Sequence, residues 1–418
     1  MELTKNRYLK IMALGVAGGS MYLIPFIRYV FYDWQIESMQ ISNAQLGFLT
    51  TVYAIANAFL YIPAGILADK FSTKKLMVFS LTGVSILTWL FAFNSGSYGF
   101  ALFIWVMFAL VGVLPFWCAL FKTIRLVAGE KDQGFLFGLY YMCNGLTGAI
   151  ANAVGLKLAG MADSVDKKFF IAVVVYGFAT ALGALLILLL IKNNKPARAK
   201  GAPPVEDPDA FKISQLGELV RMPVVWVFSI VVFTGYAIYS SSPYFTPYLT
   251  DVVGISPEDS GVLSIIRTYI FYILAPVSGM IADKIFKSTS KWFIFLYLIL
   301  TALFLGVLAI PSSASVTFVS FYTLLPGLFG LALYGIIFSI ANEAKIPVAL
   351  MGTAVGVASL IGYSPDFFMA TMFGSWLDKF GSSGYNYIFI FLGINCFVGF
   401  LASVFIRLRT KKVNVEES

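Results

Sequence analysis

The chain has 418 residues, of which 59% are hydrophobic and 12% charged, and its mean hydropathy is +0.85. Soluble domains carry roughly 25% charged residues, so this composition belongs to a protein whose solvent is lipid. The sequence has no histidine and only three cysteines, Cys118, Cys143 and Cys396, each inside an apolar run; this excludes imidazole chemistry and argues against a metal cluster or a disulfide framework.

Apolar stretches close to the ~20 residues that cross a bilayer recur at 8–33, 45–68, 76–94, 98–121, 135–160, 169–192, 224–250, 259–282, 291–310, 315–341, 350–377 and 384–406. The N-terminus shows no signal-peptide cleavage pattern, so the first stretch is expected to remain as a helix. Residues 193–222 differ: Lys195, Arg198, Lys200, the run Gly201-Ala202-Pro203-Pro204 and the acids Glu206, Asp207 and Asp209 make a polar linker. The expected architecture is an all-α integral membrane protein with twelve transmembrane helices in two six-helix bundles. An N-terminal bundle spans 1–192, a linker 193–222, and a C-terminal bundle 223–418.

The net charge of +8 follows from its placement. Lys5, Arg7, Lys10, Lys70, Lys74, Lys75, Lys131, Lys284, Lys287, Lys345, Arg407, Arg409, Lys411 and Lys412 fall on one side, with the linker. The loops 34–44, 95–97, 251–258 and 311–314 on the other side contain no Lys or Arg. The positive-inside rule then puts both termini in the cytoplasm, and nucleic-acid binding is the wrong reading of the charge.

After the second span comes Gly65-Ile66-Leu67-Ala68-Asp69-Lys70-Phe71-Ser72-Thr73-Lys74-Lys75. A degraded copy follows the eighth, Gly279-Met280-Ile281-Ala282-Asp283-Lys284, with Lys287 and Lys291 beyond it. A glycine permits close helix approach, an aspartate can face a helix N-terminus or a cation, and the lysines hold the loop inside. Gly65, Asp69, Lys74, Gly279 and Asp283 are therefore candidates for conformational gating.

Ionisable residues inside the membrane are costly and count as functional hypotheses by default. Arg28 lies in the first span behind Pro25, which can bend the helix and turn the guanidinium inward; the alternative is snorkelling to Asp33 or Glu37. Arg267 lies deeper, about eight residues from the outer end of the eighth span. Asp366, in Gly362-Tyr363-Ser364-Pro365-Asp366, is at a comparable depth, either as a fixed partner of Arg267 or as the proton-coupling carboxyl. Lys122 and Arg125 close the fourth span, as substrate contacts at the inner mouth or as a gate pairing with Glu130, Asp132 or Glu343. Tyr53, Asn57 and Tyr61 share one face of the second span; Tyr236 and Tyr239, Tyr140, Tyr141 and Asn144, and Tyr269 and Tyr272 add phenols and an amide elsewhere. An amide facing lipid has no partner, which makes Asn57 and Asn144 the more telling of these.

The repeated Gly-x-x-Ala-Asp-Lys loop resembles the loop 2–3 signature of the major facilitator superfamily, with Ser72 where that pattern has its second glycine. The resemblance implies a secondary transporter with its substrate site between the halves near the midplane, functioning as a monomer in a bacterial plasma (inner) membrane. Within the superfamily, Tyr22-Leu23 ahead of Arg28, Gln45–Phe48, Lys122-Thr123 and Lys131-Asp132-Gln133-Gly134 resemble the organophosphate:phosphate antiporter branch. The second half departs from it: Tyr239 and Tyr61 stand where that branch has basic residues, and its second deep cation is replaced by Arg267. Nitrate/nitrite porters also use an arginine on the eighth helix, but their glycine-rich signatures are missing here.

Guanidinium forks pair bidentately with carboxylate, phosphate or sulfonate. The sequence reading is therefore a transporter of a small anionic metabolite, with a proton or phosphate as counter-substrate. Arg28, Arg267, Tyr53, Asn57, Tyr239, Lys122 and Asn144 are its substrate-binding candidates, Asp366 its coupling residue and Arg125 a gate. The competing reading is a proton-coupled drug or amphiphile exporter with structural arginines. A receptor would be expected to carry a soluble domain, and no enzyme signature, cofactor site or ATP motif appears.

Overall fold

Backbone amides in hydrocarbon must be satisfied within their own segment, which leaves the helix as the element for such a sequence. The computed structural model describes residues 2–128, 133–193, 217, 219–311, 313–346 and 350–416; most of the expected linker lies outside them. In chain order the helices are α1 (Glu2–Met21), α2 (Arg28–Met39), α3 (Asn43–Lys70), α4 (Thr73–Phe93), α5 (Tyr98–Met107), α6 (Leu114–Ala128), α7 (Gln133–Ala159) and α8 (Val165–Leu190). They continue with α9 (Pro223–Ser241), α10 (Phe245–Tyr248), α11 (Pro257–Thr268), α12 (Ala275–Met280), α13 (Thr289–Gly306), α14 (Val316–Tyr322), α15 (Leu324–Tyr334), α16 (Met351–Gly362), α17 (Met369–Phe380) and α18 (Gly384–Glu416). Among the described residues no strand occurs.

Several spans are broken, and prolines mark the breaks. Residues 22–27 form turns around Pro25 between α1 and α2. Pro243 lies in the 3-10 turn Ser242–Tyr244, Pro276 at the start of α12, and Pro365 in the 3-10 turn Ser364–Phe367 between α16 and α17. A proline removes an amide donor and clashes with the preceding turn, so an interrupted helix is the expected result. By length and composition, seven helices among the described residues can cross a membrane, or eight if the bent pair 257–286 counts as one span. One of these stretches, Thr353–Thr410, covers most of the eleventh expected span and all of the twelfth. The expected loop 34–44 is shorter than the sequence suggests, because α2 continues to Met39. Trp34 is buried and stacks on Phe31 at 5.2 Å, which holds that turn in the helix.

Serines close the helix starts. Ser42, Ser72, Ser97, Ser164, Ser256, Ser288 and Ser315 each accept the amide N–H three residues on. Each such cap is worth about 1 kcal/mol. Ser72 thus has a structural reason to replace the glycine of the family pattern, and Ser288 does the same work in the second copy of the loop.

The chain forms two compact units. One comprises Met1–Ala202 with Ile255–Ile270, the other Pro203–Gly254 with Phe271–Ser418. In the first, α1 lies so close on α7 that a Cβ at Gly15, Gly18 or Gly19 would collide with Cys143, Tyr140 or Asn144. Close approach of this kind is how helices associate where lipid removes the hydrophobic drive. In the second, Tyr297 on α13 donates to the Val231 carbonyl at 3.0 Å and bonds Thr234 at 2.8 Å, fastening α13 to α9.

Candidate functional site

The intramembrane charges are located at the helix breaks. Arg28 is the first residue after the interruption at 22–27, Arg267 is in the last turn of α11 before the 3-10 segment Ile270–Leu274, and Asp366 is within the break between α16 and α17. Broken membrane helices offer backbone groups and side chains to ligands that an intact helix cannot.

In the first unit, α11 packs on α2, and the Ser264 hydroxyl donates to the Tyr29 carbonyl. Ser264 is one turn before Arg267, and Tyr29 follows Arg28 directly. Both arginines therefore occupy neighbouring turns of two packed helices, and they are 5% and 0% exposed. Insertion scales put a guanidinium at membrane depth at about +3 kcal/mol, so two buried together need a compensating role. The Arg28 guanidinium lies over the Tyr29 ring at 5.6 Å, a cation–π contact. Phe26 joins this group, 5.2 Å from Tyr29 and edge-on to Tyr53 at 5.9 Å. On the same face of α3 as Tyr53 are Thr50 and Asn57, at i, i+3 and i+7. Further along α11, Glu258 accepts from Lys168 at 2.6 Å, and Tyr269 occupies the space a Cβ at Gly148 would need.

The other first-unit candidates have contacts of their own. Asn144 donates to Tyr140 Oη at 3.2 Å and lies against Gly18 and Gly19, in the α1–α7 packing. Lys122 is half-buried on α6, whose neighbouring Thr123 donates to Thr73 at 2.9 Å. Lys74 is half-buried at the start of α4 and lines an open hollow with Lys75, Val78, Phe79, Leu188 and Asn193. The side chains of Asp69 and Arg125 and the surroundings of Gly65 lie outside what is described, as do residues Glu130 and Asp132.

The second unit places Asp366 in a phenol cluster. Its carboxylate accepts from Tyr236 Oη at 2.5 Å. Tyr239 accepts from Tyr272 at 2.9 Å and stacks on Tyr334 with ring centroids 4.5 Å apart. Tyr363 meets Tyr236 edge-on at 4.7 Å. Tyr334 and Tyr363 were missed in the sequence reading; Tyr363 had a usable signal, since it adjoins the Ser364-Pro365-Asp366 run. A phenol–carboxylate contact is a route by which a proton is gained or passed on.

At the other end of this unit, Glu343 has work of its own. Its carboxylate accepts from the Thr289 amide at 2.5 Å, the Ser290 amide at 3.1 Å, the Ser288 hydroxyl at 3.0 Å and the Ser290 hydroxyl. It caps the N-terminus of α13 just beyond the Asp283 loop. Asp283 itself is exposed. A Cβ at Gly279 would meet only Ile336 at 3.7 Å, an ordinary contact, so packing does not demand a glycine there.

Interrupted apolar helices carrying buried charges describe a multi-pass membrane protein. The family model of the Major Facilitator Superfamily matches residues 11–370, and the chain belongs to this superfamily. It is 25% identical over 415 residues to the inner membrane protein YihN of Escherichia coli K12, covering 97% of each chain. It is 26% identical to the inner membrane protein YqcE of the same organism, covering 89% of this chain and 88% of that one. A hexuronate transporter of Bacillus subtilis is 20% identical over 297 residues, or 69% of this chain and 67% of its own. Among solved structures, an inward-facing bacterial homolog of the human lysosomal transporter Spinster matches with a TM-score of 0.73 at 18% identity, over 97% and 98% of the two chains. The nucleoside transporter NupG matches with a TM-score of 0.72 at 14% identity, over 97% and 99%. These likenesses establish the fold.

Proposed function

We propose that this chain is a secondary transporter of a small organic anion, a carboxylated, phosphorylated or sulfonated metabolite, working by alternating access in a bacterial inner membrane. The observation that carries the reading is the pair of buried guanidiniums, Arg28 and Arg267, held on adjacent turns through the Ser264–Tyr29 contact. Two forks so placed match the paired oxygens of an anionic group. Tyr53 meets Phe26, which packs on Tyr29 beside Arg28, and Asn57 is one turn further along the same face of α3. In the second unit Tyr239 offers a stacking phenol, and Asp366 with Tyr236 offers a proton site for symport or for exchange. The hexuronate transporter among the relatives and the inner-membrane names of YihN and YqcE agree with this substrate class and location. Lys122 and Asn144 take a lesser part: Asn144 serves helix packing first, and Lys122 attracts anions toward the unit. The test is thermal stabilisation of the detergent-purified protein by a panel of organic anions. An anion that stabilises the wild type and not an Arg28→Ala, Arg267→Ala double mutant supports the reading. Stabilisation of both proteins by lipophilic cations or neutral amphiphiles overturns it in favour of an exporter with structural arginines.

A further inference from the structure

Buried polar groups without a partner are rare in folded proteins and require an explanation. Two of them share the Tyr53 face of α3. Thr50 Oγ1 and Asn57 Oδ1 are buried, at 2% and 8% exposure of their residues, and neither has a hydrogen-bond partner among the described residues. They lie seven residues apart, roughly 10 Å along the helix axis, with Tyr53 between them. On α11, Thr268 Oγ1, next to Arg267, is buried and unpartnered as well. Leaving such a group unsatisfied costs about 1–3 kcal/mol.

We infer that Thr50 and Asn57 are a hydroxyl-reading strip, and that the transported anion is polyhydroxylated, of the sugar-acid class. This rests on the anion reading above and narrows it. The amide oxygen of Asn57 can only accept, so its complement is an O–H or N–H donor, which neither a deprotonated carboxylate nor a fully ionised phosphate supplies. A hydroxylated carbon chain brings such donors at successive positions, and the spacing from Thr50 to Asn57 suits a body of several carbons. The Tyr53 ring between them gives the C–H face of that body an aromatic surface. Sites built to bond a substrate hydroxyl discriminate strongly against the analogue lacking it, because their own groups are then left unpaired.

The experiment compares gluconate and glucuronate with hexanoate, a six-carbon carboxylate without hydroxyls, as ligands of the purified full-length protein. Affinities come from concentration-dependent thermal stabilisation. The expected result is binding of at least one sugar acid about tenfold or more tighter than hexanoate. Thr50→Val, which keeps the side-chain shape, and Asn57→Leu should each narrow that ratio to under about threefold. Equal binding of sugar acid and hexanoate by the wild type overturns the inference and leaves the anion reading standing. A ratio that survives both substitutions also overturns it, since water would then be the partner of these groups. No stabilisation by any of the three anions, with Arg28→Ala behaving as wild type, overturns the anion reading and this inference together.

Discussion

Replacing Glu343 by alanine tests the internal logic of the second unit. The carboxylate satisfies two amides at the N-terminus of α13 and two serine hydroxyls, and the Glu343 carbonyl accepts from Thr410 of α18 at 2.7 Å. One side chain thus fixes the start of α13, and its main chain holds α18. A hydrogen bond to a charged group contributes about 1.5–3 kcal/mol and a helix cap about 1 kcal/mol. The side chain is half-buried, so water replaces part of what is lost, and the net cost of Glu343→Ala is on the order of 2–4 kcal/mol. At roughly 2–4 °C per kcal/mol for a unit of this size, the apparent Tm falls by about 4–16 °C. Glu343→Gln keeps an acceptor oxygen and should lose about half as much. The assay is fluorescence-detected melting of the detergent-solubilised protein at one fixed heating rate. A shift under about 2 °C for alanine, or equal shifts for alanine and glutamine, refutes the capping account.

Gly19→Val should lower Tm more than any exposed-face substitution on α1, because its side chain would collide with the Asn144 carbonyl and force α1 off α7; over-packing costs typically 1–3 kcal/mol. Lys168→Met should change stability by less than about 1 kcal/mol, because Lys168 and Glu258 are both partly exposed and such pairs contribute little; a larger loss in chemical denaturation contradicts this. Asp366→Asn should abolish concentrative, proton-driven uptake while leaving exchange of labelled for unlabelled substrate; if concentrative uptake persists, Asp366 is not the coupling carboxyl.

Apolar period and length made the spans legible, and Pro25 marked one helix break in advance, whereas the breaks at Pro276 and Pro365 emerged only in the structure. The expected bend at Pro25 occurs as turns at 22–27. The pairing of α11 with α2 was not legible: it joins residues 235 apart in sequence, Ser264 and Tyr29, and no local pattern encodes that contact. Glu343 illustrates a different limit. In the sequence it figured only as one of three acids that Lys122 and Arg125 would pair with as a gate. The structure gives its oxygens to the serine-rich start of α13, whose backbone amides and hydroxyls satisfy the carboxylate. Asn144 has a packing role that the sequence did not show: its amide donates to Tyr140 and lies against Gly18 of α1, a contact between residues far apart in the chain.

The most direct test of the account is uptake of a labelled sugar acid into proteoliposomes containing wild-type protein, Arg28→Ala or Arg267→Ala. Saturable uptake by the wild type, lost in each single variant while both remain folded by Tm, is the predicted result. Uptake that is equal in all three proteins would show that the paired arginines do not bind the substrate, and would contradict the central claim.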